Sequence, residues 1–527
     1  MNLQTRLRFY AVRGYILIIF VMLPLFFMNM YFNISTEKWL FFTVATVVFA
    51  FLVLVLRICD TSKEKYFFSE FGFSEYAMLF LLFANVVSFV CSVNPRDSLW
   101  GFNARHHGFF NFLLYALIYY IIRYYNCRLS LFTRVLAVTG GICSAVAVAQ
   151  FLSYDPLGMY RGVTVASAHR MISTIGNMNI FAGFLCLTAP LTLWLFLSAK
   201  KLWHMLVFGV ILALSFAAAI GGNSDSFYLG FAAGFIIMII AGGMSRREFL
   251  RLPAAVSIIT GGDYLVVTAA NHIEKEGIIL SRSFKDLGFA IRPVQGIGRK
   301  LLDSPNTLLT VCIICIIIGL ALIPLAKKEG AEKKLIPAKA SNILLIAALI
   351  FTVGLFLYAV ISFPFDENFG SFRGFIWNLS INDFKGLTPG RKLFGYGQET
   401  LLNIYKMNYR DKMIAVTGVI YDNVHCEYLE YMITTGIFGL ACYLTYLGSV
   451  LKKILGTVRR DPEAYTLLIP IVAYMAQATV SIAQSTTTPI FFILLAMASG
   501  HSQAGLPSPS EVSLFSNSSS DTGLAKK

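Results

Sequence analysis

Residues 306–326 read NTLLTVCIICIIIGLALIPLA, an unbroken run without a charged side chain, and residues 327–334 after it read KKEGAEKK. About 20 consecutive apolar residues are what a helix needs to cross the hydrocarbon of a bilayer. A short basic loop at its end is the usual mark of the cytoplasmic side. The same alternation repeats in both directions along the 527 residues. Candidate spans fall at 14–31, 39–58, 75–91, 108–122, 131–152, 175–198, 205–220, 227–242, 254–270, 306–326, 341–363, 428–450, 465–483 and 487–500. Hydrophobic residues make up 57% of the chain and charged ones only 13%, against about 25% charged in soluble domains. A soluble enzyme, a disordered chain and a collagen-like fibre are excluded. The fold class expected is an all-α, polytopic integral membrane protein with about 12–14 transmembrane helices and one long extracytoplasmic loop. Two runs are weaker: 254–270 contains Gly261, Gly262 and Asp263, and 487–500 is short and follows STTTP. Either one taken as re-entrant or interfacial lowers the count.

The charge balance fixes an orientation. Lys and Arg number 43 against 28 Asp and Glu, a net charge of +15. The basic residues sit in short clusters between apolar runs, so they read as topology signals and a nucleic-acid partner is rejected. With the N-terminus inside, the short cytoplasmic loops are nearly all basic: AKKLWH, SRREFLRLP, AKKEGAEKK and KKILGTVRR. Most basic residues on the other side lie in the long segments 271–305 and 364–427, which are translocated largely regardless of charge. The opening MNLQTRLRFYAVRGYILIIF, with three arginines before its apolar run and no small-residue cleavage site, reads as a retained signal anchor. The tail from about residue 501, rich in Ser, Gly and Asp, reads as disordered. Nine cysteines are scattered in or beside apolar runs. The one C-x-x-C, Cys312 and Cys315, lies within a span and has no second ligand pair, so no metal or redox site is assigned.

Several chemistries lack their signatures. There is no D-x-D or E-x-D pair, no H-E-x-x-H, no phosphate-binding G-x-x-x-x-G-K-[ST] loop and no G-x-S-x-G. Segment 364–427, with many aromatics and equal numbers of acidic and basic residues, is where a membrane enzyme would hold polar chemistry; a folded extracellular cap is the plainer reading. Arginine and histidine gather near span ends in four places. These are Arg96, Arg105, His106 and His107 in SVNPRDSLWGFNARHHGFF, then His169 and Arg170 in SAHRMISTIGNMNIFAGFL. Next come Arg373 and Trp377 in ENFGSFRGFIWNLSINDFKGLTPGRKLFGYGQET, then His425 and Glu427 in YDNVHCEYLEYMITTGIFGL. Each also has an ordinary structural role: a snorkelling arginine, an Asn cap in Gly-Asn-x-Asn, or Glu427 and Glu430 lining a wet helix face.

Taken in order, Arg170…Gly176-Asn177-x-Asn179…Ala182-Gly183, then Ser371-Phe372-Arg373…Trp377…Gly395-Tyr396-Gly397, then His425…Tyr428-Leu429…Thr435-Gly436-Ile437-Phe438-Gly439 resembles the O-antigen ligase and polymerase superfamily of bacterial membrane glycosyltransferases. The resemblance covers roughly 168–444, with a weaker echo at 92–108. It divides the chain into N-terminal transmembrane helices (1–167), the ligase-like core (168–444) containing the loop 364–427, C-terminal transmembrane helices (445–500) and the tail (501–527). The chain departs from the family pattern at Met178, where proline is usual, and at Cys426, where asparagine is usual. Asp225 in GGNSDSFYLG stands where the family commonly has an arginine; Arg105 or Arg161 is the candidate replacement cation.

The resemblance implies a glycosyltransferase that takes a glycan from an undecaprenyl-diphosphate carrier and attaches it to an acceptor hydroxyl on the outer side of the bacterial cytoplasmic membrane. The partners so implied are that donor, a glycan or lipid acceptor, and membrane lipids. Neither a cofactor nor a metal ion is implied. Arg170, Arg373 and His425 take the catalytic roles: the arginines neutralise charge developing on the diphosphate, and His425 either accepts the hydroxyl proton or orients the diphosphate. Arg105, Asn177, Asn179, Trp377 and Glu427 are the expected substrate-binding residues. Ligase and polymerase differ only in acceptor, so both stay open. A flippase or other transporter of lipid-linked oligosaccharides is the rival from another class, although no duplicated half is visible in the sequence.

Overall fold

The structure is a computed structural model that describes residues 3–60, 71–101, 105–125, 129–288 and 291–501. The expected tail and Cys127 lie outside these residues. Each of the fourteen apolar runs coincides with a helix: Leu3–Leu25, Ile34–Ile58, Phe73–Val90, Phe109–Tyr124, Leu129–Phe151, Met178–Leu197, Leu202–Gly222, Ser226–Ile240, Leu252–Glu276, Pro305–Lys327, Ala338–Ile361, Gly436–Val458, Tyr465–Gln477 and Thr488–His501. Among the described residues, ten helices are long and apolar enough to cross a membrane, and Phe109–Tyr124, Ser226–Ile240 and Thr488–Gly500 are shorter apolar helices. The chain is a polytopic all-α membrane protein. Its only strands among the described residues form one two-residue antiparallel pair, Met171–Ile172 with Gly176–Asn177.

Packing sorts the helices by environment. Met178–Leu197 is the axis of the bundle: its membrane window is wholly buried, and it packs on Leu129–Phe151, Leu202–Gly222, Ser226–Ile240 and Tyr465–Gln477. A helix that is apolar on every face belongs in such a position. Pro305–Lys327 and Ala338–Ile361 lie at the periphery with most of their side chains exposed, which in a bilayer means facing lipid. Thr488–His501 is buried along its length against Phe109–Tyr124. At 1.5 Å per residue its 14 residues reach only about 21 Å.

Three boundaries differ from expectation. The run 254–270 is not re-entrant: it lies within one continuous helix, Leu252–Glu276, and its two adjacent glycines are tolerated by tight packing, with the Gly262 Cα facing Ala213. The first helix begins at Leu3 rather than 14, because the arginine-bearing turn is itself helical, and it ends at Leu25 before a turn containing Met30 and Asn33 in the left-handed region. The run 428–450 is two helices, Glu427–Thr434 and Gly436–Val458. Glu427 and Glu430 therefore belong to a separate short helix ahead of the span.

Contacts divide the connections between two ends. At one, Arg251 Nη1 donates to the carbonyls of Leu197 and Ala199 at 2.7 Å, Lys334 Nζ to Gly243 O at 2.6 Å, and Arg459 Nη2 to Asn342 Oδ1 at 2.6 Å. Those are the short basic loops. At the other end lies segment 364–427, folded as helices Phe369–Gly386, Pro389–Phe394, Leu401–Asn408 and Arg410–Thr417 around a small core of Phe375, Ile376, Leu379, Leu401, Tyr405 and Met413. It docks by backbone pairing: Val93 N donates to Tyr396 O at 2.9 Å, and Gly397 N to Thr434 O at 2.9 Å.

Candidate active site

Four expected residues come near one another at this loop, two of them, Arg373 and His425, from the loop itself. His425 lies in the bend 421–426, its backbone left-handed (φ 54°) and held by Asn423, whose Oδ1 accepts the His425 N–H at 2.8 Å. Its ring meets Tyr421 edge-on, with centroids 5.7 Å apart. Burial, followed by the charges of Arg373 and Arg105, pushes the His425 imidazole down to about 3, so the ring is neutral. Tyr421 in turn feels both Arg373 and Arg170. Arg105, Arg170, Arg373 and His425 thus share one electrostatic neighbourhood although they come from three distant parts of the chain.

Local folding explains each placement. Arg170 precedes the strand pair. Met178 N donates to its carbonyl at 2.8 Å, and the tip of the hairpin is anchored in the core through Ser173, whose N donates to Gln150 Oε1 at 2.6 Å and whose Oγ donates to Cys143 O at 2.7 Å. The Arg170 side chain is left exposed. Arg373 follows three consecutive left-handed residues, Gly370, Ser371 and Phe372. Two of these are not glycine, a strained arrangement of the kind that collects at ligand sites. Its Nη1 donates to Gly370 O at 2.7 Å, while its Nε is buried without a hydrogen-bond partner. Burial holds this guanidinium below its ordinary value. Arg105 forms an ion pair with Asp422.

The other expected residues each bond to a neighbouring part of the protein. Asn177 Oδ1 caps the Met178–Leu197 helix by accepting from Asn179 N at 2.9 Å, and Asn179 Oδ1 accepts from Ser224 Oγ at 2.9 Å. Trp377 Nε1 donates to Val424 O at 3.0 Å, which ties the Phe369–Gly386 helix to the residue before His425. Glu427 is only 4% exposed. Its Oε1 accepts from Tyr443 Oη at 2.5 Å, its Oε2 has no partner, and burial pushes the carboxyl up to about 7.

Asp225 has a local explanation. Its Oδ1 accepts from Ile297 N at 3.1 Å, and Asn223 Oδ1 accepts from Gln295 N at 2.6 Å, so the pair clasps the backbone of segment 271–305. That segment returns a cation. Arg292, fully buried, donates to Gly221 O at 2.8 Å and to His169 O at 2.7 Å, beside the position where the arginine of the family pattern is missing. Sequence reading passed over Arg292 because its neighbours form no recognisable pattern. Tyr421, Asp422 and Asn423 were also passed over, although their place two to four residues before His425 was visible.

Among known families, the one described as O-antigen ligase matches residues 301–444. That stretch holds the two peripheral helices, the whole docked loop with Arg373 and His425, and the start of Gly436–Val458. No curated protein matches the chain. Residues 301–444 are thus similar to the O-antigen ligase family, and they form part of a larger helical membrane protein.

Proposed function

We propose that this protein is a membrane glycosyltransferase of the O-antigen ligase type, moving a glycan from an undecaprenyl-diphosphate carrier to an acceptor hydroxyl on the outer side of the bacterial cytoplasmic membrane. The observation that carries the reading is the convergence of Arg105, Arg170 and Arg373 around Tyr421 and His425, beneath a loop of the matching family. Breaking the bond between sugar and phosphate leaves charge on the diphosphate, and fixed guanidinium groups in a partly dehydrated site stabilise it as it develops. The buried, unpartnered Nε of Arg373 is a donor available for such an oxygen. His425, neutral between cations, is suited to orienting the diphosphate through a hydrogen bond. The polymerase version of the reaction uses the same donor and differs in acceptor only.

The test is transfer by the purified protein in vesicles with lipid-linked donor and acceptor. Arg373→Ala and His425→Ala are each expected to abolish glycan transfer while the protein stays inserted and abundant. Product at the wild-type rate from both variants would remove these residues from the mechanism. Relocation of the donor across the vesicle without a new glycosidic bond would instead support a transporter.

A further inference from the structure

Glycan transfer requires somewhere for the acceptor's hydroxyl proton to go, and an imidazole pushed down to about 3 is a weak base at neutral pH. Two residues further along the chain, Glu427 lines a cavity of about 40 Å³ together with His107, Gln398, Glu399, Glu430 and Thr434 among others. It has room for roughly two or three waters, or for one hydroxyl with its carbon. Glu427 forms part of its wall, and Glu427 Oε2 is buried with no hydrogen-bond partner. An acceptor atom left so is costly, on the order of 1–3 kcal/mol. A purely structural glutamate, needed only to hold Tyr443, would require no more than Oε1.

Chain proximity and charge link the cavity to the cationic group. Glu427 is two residues beyond His425, which limits their Cα separation to about 7 Å. Arg105 acts electrostatically on both His425 and Glu430. A hydroxyl seated in the cavity is thus one short step of chain from His425 and within the field of Arg105.

We infer that this cavity is the acceptor-hydroxyl subsite and that Glu427 Oε2 is the proton acceptor of the transfer, an inference that rests on the glycosyltransferase reading above. As the hydroxyl oxygen bonds to the anomeric carbon, its proton passes to Oε2. The bond from that carbon to the diphosphate oxygen breaks, and its electron pair leaves with the diphosphate. A carboxyl raised to about 7 by burial is matched to this task, since general bases work best near the operating pH.

Transfer and binding of undecaprenyl diphosphate are measured on the same purified protein. Glu427→Gln is expected to bind the diphosphate as wild type does and to transfer glycan at least about 100-fold more slowly, and Glu427→Asp to recover part of the rate. Transfer by Glu427→Gln within threefold of wild type, or a parallel loss of diphosphate binding, overturns the inference and leaves the glycosyltransferase reading standing. A wild-type protein that forms no glycosidic bond sinks both. Wild-type protein treated with dicyclohexylcarbodiimide gives an answer free of folding effects: Glu427 should be the labelled residue, with acceptor glycan protecting both label and activity. Label elsewhere, or no protection, also overturns it.

Discussion

His425 is the residue whose environment says most about its role. Burial, and then two guanidinium groups, oppose its protonation, so its folded value lies below the ordinary 6.5 or so of a free histidine. The sign follows from linkage: the unfolded chain takes up this proton first, so the group's contribution to stability is present above about pH 6.5. It is lost as pH falls toward 3. Wild-type protein should therefore lose more thermal stability between pH 7 and pH 5 than His425→Gln does, by unfolding in detergent at both values. Equal losses would show that the imidazole is not held neutral. Glutamine keeps a neutral donor and acceptor at this position, so His425→Gln should also retain more transfer than His425→Ala. The histidine was visible in the sequence as a residue at the mouth of an apolar run. Its neutrality was not, because it is set first by burial in the folded loop and then by the charges of residues 373 and 105.

The kink between Glu427–Thr434 and Gly436–Val458 is the element that most changes the sequence picture. Gly436 is left-handed (φ 74°), and a Cβ there would fall 2.1 Å from Leu393 O; Gly395 makes the reciprocal approach to Thr434 O. The loop thus seats on the break by close backbone contact that only glycine permits. Gly436→Ala should lower stability by at least about 1–3 kcal/mol and leave residues 389–397 more open to protease. Unchanged melting and cleavage would mean that the docking is not tight. Apolar run length located the long helices of the bundle but not the short helices between them, and it ran across this break, because Ile433 and Ile437 flank it and keep the stretch apolar. The same blindness made 254–270 look interrupted, since the sequence says nothing of Cys312, which Gly261 faces, or of Ala213, on which Gly262 packs.

At the scale of the whole molecule, the long apolar helices among the described residues present their short basic loops at one end and the folded loop at the other. Composition alone made this architecture legible, because a bilayer forces apolar segments of fixed length. The site was legible in part. Arg105, Arg170, Arg373 and His425 were recognisable one by one as polar residues at span ends, whereas Arg292 and the Asp225 clasp depend on long-range packing that no local pattern records. With arginines in the role of countercharge, transfer should proceed at an unchanged rate in EDTA, measured with purified donor and acceptor. Loss in EDTA with recovery on adding Mn²⁺ would assign the countercharge to a metal ion.

The claim beneath all of this is that guanidinium groups under the loop grip a diphosphate, and its most direct measure is the affinity of the purified protein for undecaprenyl diphosphate in the presence of EDTA. Arg373→Ala and Arg170→Ala should each weaken that affinity by about tenfold or more, the worth of a charged hydrogen bond. Affinities equal to wild type in both variants would contradict the account.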